Sequence, residues 1–303
     1  MVDGVAAVHD LNKKLLYMEN VYKDYGKKRV LDNIDLSVES GEFCTLVGPS
    51  GCGKSTLFRL ILGEERPTSG EILIDGIPVG YPDKTRGIVY QKYSLYPNLR
   101  VVENILLGPK LASGAVRWLA KKNIFEQEAR QILAEVKLAD HGDKYPHELS
   151  GGMQQRVAIA QALIMKPKIL LMDEPFGALD PGTREHLQVF ILELWHKFNM
   201  TVFFVTHDLE EALFLGTRVL VLSQFYMDGR GDGETNRGSK IVFDEKVTRS
   251  TTTDFKHSAE CAELMKKIRE SGFDPEHRRH VTEFNLRHPD SFQTLTEAEK
   301  RMA

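Results

Sequence analysis

Short runs of apolar, often β-branched residues alternate along this chain with stretches whose apolar positions recur at helical spacing. That alternation predicts an α/β domain with parallel strands. The runs at 43–47, 87–90, 169–172, 202–206 and 219–222 are almost unbroken in apolar residues, as expected of strands covered on both faces. The stretch 15–38 reads instead as antiparallel strands feeding the first of them. After Asp180 and Pro181, residues Leu187, Ile191, Leu194 and Phe198 recur at helical spacing, and proline suits the first helical position. Asp208 and Glu211 are spaced as a capping box for the helix that follows. From about 102 to 165 the strand rhythm breaks and the pattern is mostly helical, so a helical subdomain interrupts the core.

The end of the chain changes character. Residues 224–239 are glycine-rich and polar and predict a loop. Residues 241–243 could form one more strand, and Cys261, Leu264, Met265 and Ile268 mark an amphipathic helix. The expected organisation is a flexible N-terminal tail over 1–14, an α/β domain over 15–244 and a C-terminal extension over 245–303.

Composition narrows the function classes. Of 303 residues, 42% are hydrophobic and 27% charged, as in ordinary soluble proteins. The net charge of -3 gives no electrostatic case for nucleic acid as a partner. Cys44, Cys52 and Cys261 are widely spaced and odd in number, which argues against a disulfide framework or a zinc site. Residues 1–14 carry acids and lack the apolar centre of a secretory signal. No apolar run approaches the length of a membrane span, so any membrane role must come through a partner. His277, His280 and His288 lack metal-ligand spacing and read as solvated surface.

The chemistry begins at Gly48, Pro49, Ser50, Gly51, Cys52, Gly53, Lys54 and Ser55, which match GxxxxGK[ST]. The motif follows a predicted strand and opens a predicted helix, the context that a phosphate-binding loop requires. Its backbone N–H groups and the helix N-terminus suit a polyphosphate. Lys54 is placed for the β- and γ-phosphates, Ser55 for Mg²⁺ and Thr56 for the α-phosphate. Cys52 has no neighbouring base and reads as a small residue tolerated in the loop. Downstream, the apolar run 169–172 ends in Asp173 and Glu174. A buried parallel strand delivers such groups where ligands sit in these sheets. Asp173 suits Mg²⁺, and Glu174 can orient and polarise an attacking water.

These features alone fit any P-loop ATPase. Leu149-Ser-Gly-Gly-Met-Gln-Gln-Arg156 is more specific. It resembles the signature motif of ABC ATPases, and it precedes the acidic strand as in that family. Ser150, Gly151 and Gly152 would open a helix whose N-terminus can face an anion. The resemblance spans about 16–222 and implies a P-loop NTPase core of the RecA-like type, an N-terminal antiparallel β subdomain and an inserted helical subdomain.

It also implies roles. Tyr25 resembles the aromatic that stacks on adenine, although a strand residue there could instead face the core. Gln91 resembles the Q-loop glutamine, which contacts Mg²⁺ or the attacking water. Asp180 lies in a segment similar to the D-loop at the dimer interface and could also cap the next helix. His207 resembles the switch histidine on the γ-phosphate. Two copies, identical or pseudo-symmetric, would then sandwich ATP between one copy's phosphate loop and the other's signature helix.

The wording of the motifs is most similar to bacterial importers of the nitrate, sulfonate and taurine group. Such a subunit would work at the cytoplasmic face of the cell membrane with an integral permease and a solute-binding protein. An exporter ATPase and a non-transport ABC ATPase are the rivals. Tyr93, Leu95, Tyr96, Pro97 and Leu99 make the segment after Gln91 unusually apolar; they suit a permease docking surface or packing between subdomains.

Overall fold

The computed structural model describes residues 14–92, 94–229, 237–247 and 258–301. The expected N-terminal tail, save Lys14, lies outside the described residues, as do Tyr93 and part of the glycine-rich loop.

Strands β1 (Lys14–Tyr25) and β2 (Lys28–Glu39) form an antiparallel hairpin, and β3 (Phe43–Val47) leads into helix α1 (Lys54–Leu62). Next come β4 (Ser69–Ile74), β5 (Ile77–Pro78) and β6 (Arg86–Val89). One sheet has the order β2-β1-β4-β5. The sequence patterns did not reveal β4 and β5. Both residues of β5 are exposed and β4 is buried only over its second half, so neither shows a continuous apolar run. The helical subdomain contains α2 (Val101–Ser113), α3 (Ala115–Glu135) and α4 (Gly151–Leu163).

The core resumes with β7 (Ile169–Asp173), α5 (Pro181–Phe198), β8 (Thr201–Val205), α6 (Leu209–Leu215) and β9 (Arg218–Ser223). The strands β9, β3, β8, β7 and β6 lie side by side and parallel. Their alternation explains the continuous apolar runs. Leu170, Met172, Val202 and Phe204 face a cluster with α4, α5 and the helical subdomain. Ile169, Leu171, Phe203 and Val205 face the opposite cluster, with α1, β1 and β2. A period of two on a sheet covered on both faces requires apolar residues at every position.

Two helix expectations need correction. Leu187, Ile191 and Leu194 are buried as predicted, but Phe198 is 42% exposed because it is the last helical residue. Asp208 does cap α6 through the Glu210 and Glu211 N–H groups. The Glu211 side chain does not complete the box; it accepts hydrogen bonds from Gln188 and Thr206 instead.

The C-terminal part of the chain builds onto the core. Strand β10 (Tyr226–Met227) lies within the region predicted as a loop, and Tyr226 is fully buried with its hydroxyl donating to Asp32 at 3.0 Å. β11 (Lys240–Lys246) pairs antiparallel with β9. Helix α7 (Ala259–Gly272) buries Cys261 and Ile268 against Val219 and Val221, with Leu264 and Met265 partly buried beside them. The amphipathic helix therefore packs on the core. β12 (Arg279–His280) pairs with β10, and β13 (Asn285–Leu286) adds to β11. The chain then returns across β1 and β2 to the short α8 (Glu297–Lys300), stacking Phe292 on Tyr17 with ring centroids 5.5 Å apart.

His288 is the correction this return imposes. It is 8% exposed, and its Nε2 lies 2.5 Å from Glu42 Oε1. His277 stays exposed and His280 half-buried, as surface residues should be.

Arg218 ties these layers. Its guanidinium is fully buried, donates twice to Asp244 at 2.7 Å and reaches Ser37 O at 2.6 Å and Glu42 at 3.2 Å. Burial opposes the charge, yet the bonds and attraction of Asp244 leave its pKa raised. Breaking a buried pair on one side strands the partner charge. Arg218→Met is therefore expected to destabilise the fold by about 3–5 kcal/mol, read as a lower urea midpoint. An unchanged midpoint would show that Asp244 finds another partner.

Candidate active site

The glycines of the 48–55 loop do what no other residue does as well. Gly53 takes φ 100° at the N-cap of α1, a left-handed conformation that strains side chains with a Cβ. Lys54 folds its ammonium over the loop, donating to Gly48 O at 2.7 Å and Pro49 O at 3.1 Å. Cys52 is 2% exposed, and burial pushes its thiol pKa up, so it is an inert packing residue.

The parallel sheet carries the other groups to the same edge. Ser55 Oγ lies 3.5 Å from Asp173 Oδ2, at the end of β7. Burial raises the Asp173 pKa, and the neighbouring Glu174 charge adds to it; Ser55, Lys54 and Arg59 pull the other way. Glu174 adopts φ 45°, uncommon for a residue with a side chain and disfavoured before proline. Such a conformation costs about 1–3 kcal/mol. Its N–H donates to Val205 O at 3.0 Å, holding the turn against β8. Glu174 Oε2 then sits 3.5 Å from Nδ1 of His207, whose side chain is 68% exposed. Gln91 is exposed at the end of β6 with its amide against Gly177, three residues beyond Glu174.

The structure thus gathers Ser55, Asp173, Glu174 and His207 in a row, with Gln91 at its side. The remaining candidates stand apart from that row. Tyr25 is 41% exposed rather than core-facing, and its hydroxyl donates to Glu65 at 2.5 Å. Thr56 is buried in α1. Ser150 caps α4 by accepting from the Met153 N–H at 3.4 Å. Gly152 leaves room for α5: a Cβ there would lie 2.7 Å from Thr183 Cγ2. Thr183 N–H in turn donates to the capping carboxylate of Asp180 at 3.0 Å. Ser150–Gly152 and Asp180 therefore form a second group, beside the first turn of α5.

One neighbour was not foreseen from sequence. Met265 and Arg269 of α7 and Phe273 just beyond its end line a pocket with His207 and Asp208. Only the amphipathic period of α7 hinted that it packs somewhere; nothing in it named the surface.

The oxygen donors Ser55, Asp173 and Gln91 suit a hard cation such as Mg²⁺. Asp173 and Glu174 place two carboxyls side by side, and a bound cation would relieve the effect of the Glu174 charge on Asp173.

Comparison with known proteins identifies the family. The ABC transporter family profile matches residues 31–177. The aliphatic sulfonates import ATP-binding protein SsuB of Bacillus anthracis is 43% identical over 202 residues, covering 67% of this chain and 77% of the relative. The nitrate import ATP-binding protein NrtD of Synechocystis is 42% identical over 251 residues, covering 80% and 90%. Among solved structures, the ATP-binding cassette MJ0796, a dimer in a post-hydrolysis state bound to ADP and Pi, matches with TM-score 0.61 and 31% identity over 78% of this chain and all of that one. The phosphate loop, acidic strand and signature helix thus occur together in a chain that belongs to the ABC transporter family, as an ATP-binding, ATP-hydrolysing subunit.

Proposed function

We propose that this subunit dimerises around ATP and drives solute import through a separate membrane permease, at the cytoplasmic face of the membrane and together with a solute-binding protein. The observation that carries the catalytic part is the row Ser55, Asp173, Glu174 and His207 at one edge of the parallel sheet. Import is supported by the likeness to sulfonate and nitrate import subunits.

The residues divide the work by position. Tyr25, exposed at the end of β1, offers a face to adenine. The Gly48–Thr56 segment receives the phosphates, and Lys54 exchanges the carbonyls of Gly48 and Pro49 for β- and γ-phosphate oxygens. Ser55, Asp173 and Gln91 would hold Mg²⁺, which when bound neutralises charge on those oxygens. Glu174 takes a proton from the attacking water, and His207, within reach of the same carboxylate, steadies the γ-phosphate. Ser150, Gly151, Gly152 and Asp180, grouped beside α5, suit contact with the ATP held by a second copy. Loss of the γ-phosphate then removes the bridge and lets the dimer open.

A groove between β6 and the helical subdomain is lined by Tyr90, Ser94, Leu107, Leu111 and Met165. Beside it Tyr96 is 55% exposed, while Leu95 packs inward against the core cluster. Exposed apolar surface at a subdomain joint suits a permease segment. The domain division that follows is an ATPase unit over 15–244, with its helical part near 102–165, and an extension over 245–303 packed on it.

The test is to capture tagged Glu174→Gln protein with ATP from native membranes and identify its partners by mass spectrometry. A polytopic membrane protein beside a solute-binding protein is expected. A membrane partner without a binding protein would point to export. Ribosomal or DNA-bound partners would overturn the transport role.

A further inference from the structure

One hydroxyl holds the backbone on both sides of His207. Thr206 Oγ1 donates to Glu211 Oε2 at 2.6 Å and accepts from the Asp208 N–H at 3.0 Å. The other Glu211 oxygen accepts from Gln188 Nε2 at 2.8 Å. All three residues are buried: Thr206 at 2%, Gln188 at 3% and Glu211 at 6% exposure. A buried carboxylate is costly to place and costly to orphan, so a chain in which both oxygens are satisfied fixes its members firmly. Burial raises the Glu211 pKa, and the bonds from Thr206 and Gln188 act against that rise.

The chain also reaches the catalytic row through backbone. Thr206 N–H donates to Leu46 O at 3.3 Å, just before the phosphate loop, and Val205 O accepts from the Glu174 N–H at 3.0 Å. A second link comes from the same helix as Gln188. Arg184, one turn earlier on α5, donates to Leu179 O at 3.3 Å and lies 4.0 Å from the Asp208 carboxylate. Residues four apart share a helix face. The helix that opens at Asp180 therefore grips the His207 segment at two points.

We propose that Glu211 is a positioning residue for His207: it acts through Thr206, and Gln188 anchors it to the helix that follows Asp180. Glu211 is buried, and its carboxylate oxygens are taken up by Gln188 and Thr206. It sets the backbone from which His207 reaches the 3.5 Å separation from Glu174. The inference rests on the reading of His207 as the γ-phosphate contact. Misplacing a catalytic group by about 1 Å can cost about 100-fold in rate.

The test is a double-mutant cycle on the full chain, reading kcat, KM for ATP and thermal unfolding. Glu211→Ala is expected to lower kcat by about 10- to 100-fold with KM unchanged, because Glu211 lies away from the phosphate loop. Glu211→Gln keeps an acceptor for Thr206, and the Gln188 amide can turn to accept from it, so most of kcat should return. In a His207→Ala background, Glu211→Ala should leave the residual rate unchanged, since it acts only through the missing side chain.

Losses that multiply in the double mutant would overturn the inference, because Glu211 would then act elsewhere. Native kcat in Glu211→Ala, with His207→Ala inactive, overturns it while leaving the role of His207 standing. Native kcat in His207→Ala overturns both. If Glu211→Ala does not fold, Thr206→Val, which removes only the linking hydroxyl, carries the same cycle with the same expected and overturning results.

Discussion

Glu174→Gln is expected to bind ATP with native affinity and to hydrolyse it about 10²- to 10⁴-fold more slowly, the range by which a positioned base accelerates proton transfer. The amide has the shape of the carboxylate but cannot accept a proton from water. The left-handed turn at Glu174 depends on its backbone N–H and Val205 O, which the substitution leaves intact. The phosphate contacts assigned to Lys54 and the Mg²⁺ contact assigned to Ser55 are also untouched. Binding and turnover should therefore separate. An ATP-bound dimer should accumulate and appear by light scattering as a doubling of mass that ADP does not produce. Turnover near the native rate would show that Glu174 is not the base. Lost turnover with no dimer would leave the base in place and remove ATP as the bridge between copies.

Lys54→Ala should fail one step earlier. The ammonium lies over Gly48 O and Pro49 O, within a loop whose other donors are neutral backbone N–H and hydroxyl groups. It is the cation from this loop best placed to leave those carbonyls for phosphate oxygens. Truncating one side of a hydrogen-bonded charge pair costs about 2–5 kcal/mol, equivalent to at least about 30-fold in affinity. Isothermal titration with ATP should show that weakening. Thermal unfolding should stay close to native, because the lysine's hydrogen bonds are to its own loop. Unchanged ATP affinity would remove the phosphate-loop assignment. A large drop in melting temperature would show that Lys54 holds the loop together rather than the nucleotide.

The two variants also separate the halves of the site. Lys54 acts from the loop after β3, and Glu174 from the end of β7. The parallel pairing of β3 with β8 and of β8 with β7 brings them to one edge. Either group alone would be unremarkable, because a lysine over carbonyls and an acid at a strand end both have ordinary structural uses.

By itself, the sequence determined whatever depends on neighbours along the chain. The phosphate loop was legible because its glycines, lysine and serine act within one short segment, 48–55. The Asp180 and Asp208 caps were legible because a capping side chain bonds N–H groups two or three residues on. Doubly buried strands announced themselves because both faces demand apolar residues. Tertiary structure decided the rest. Phe198 fits the apolar stripe of α5 yet ends exposed at the helix terminus. Glu211 has capping-box spacing, but Gln188 on α5 and Thr206 just after β8 offer its carboxylate buried donors that a local bond cannot match. His288 looked solvated until the C-terminal segment returned to place it on Glu42. Local pattern records what a residue can do with its own neighbours; what approaches from elsewhere in the chain depends on how all the layers pack at once.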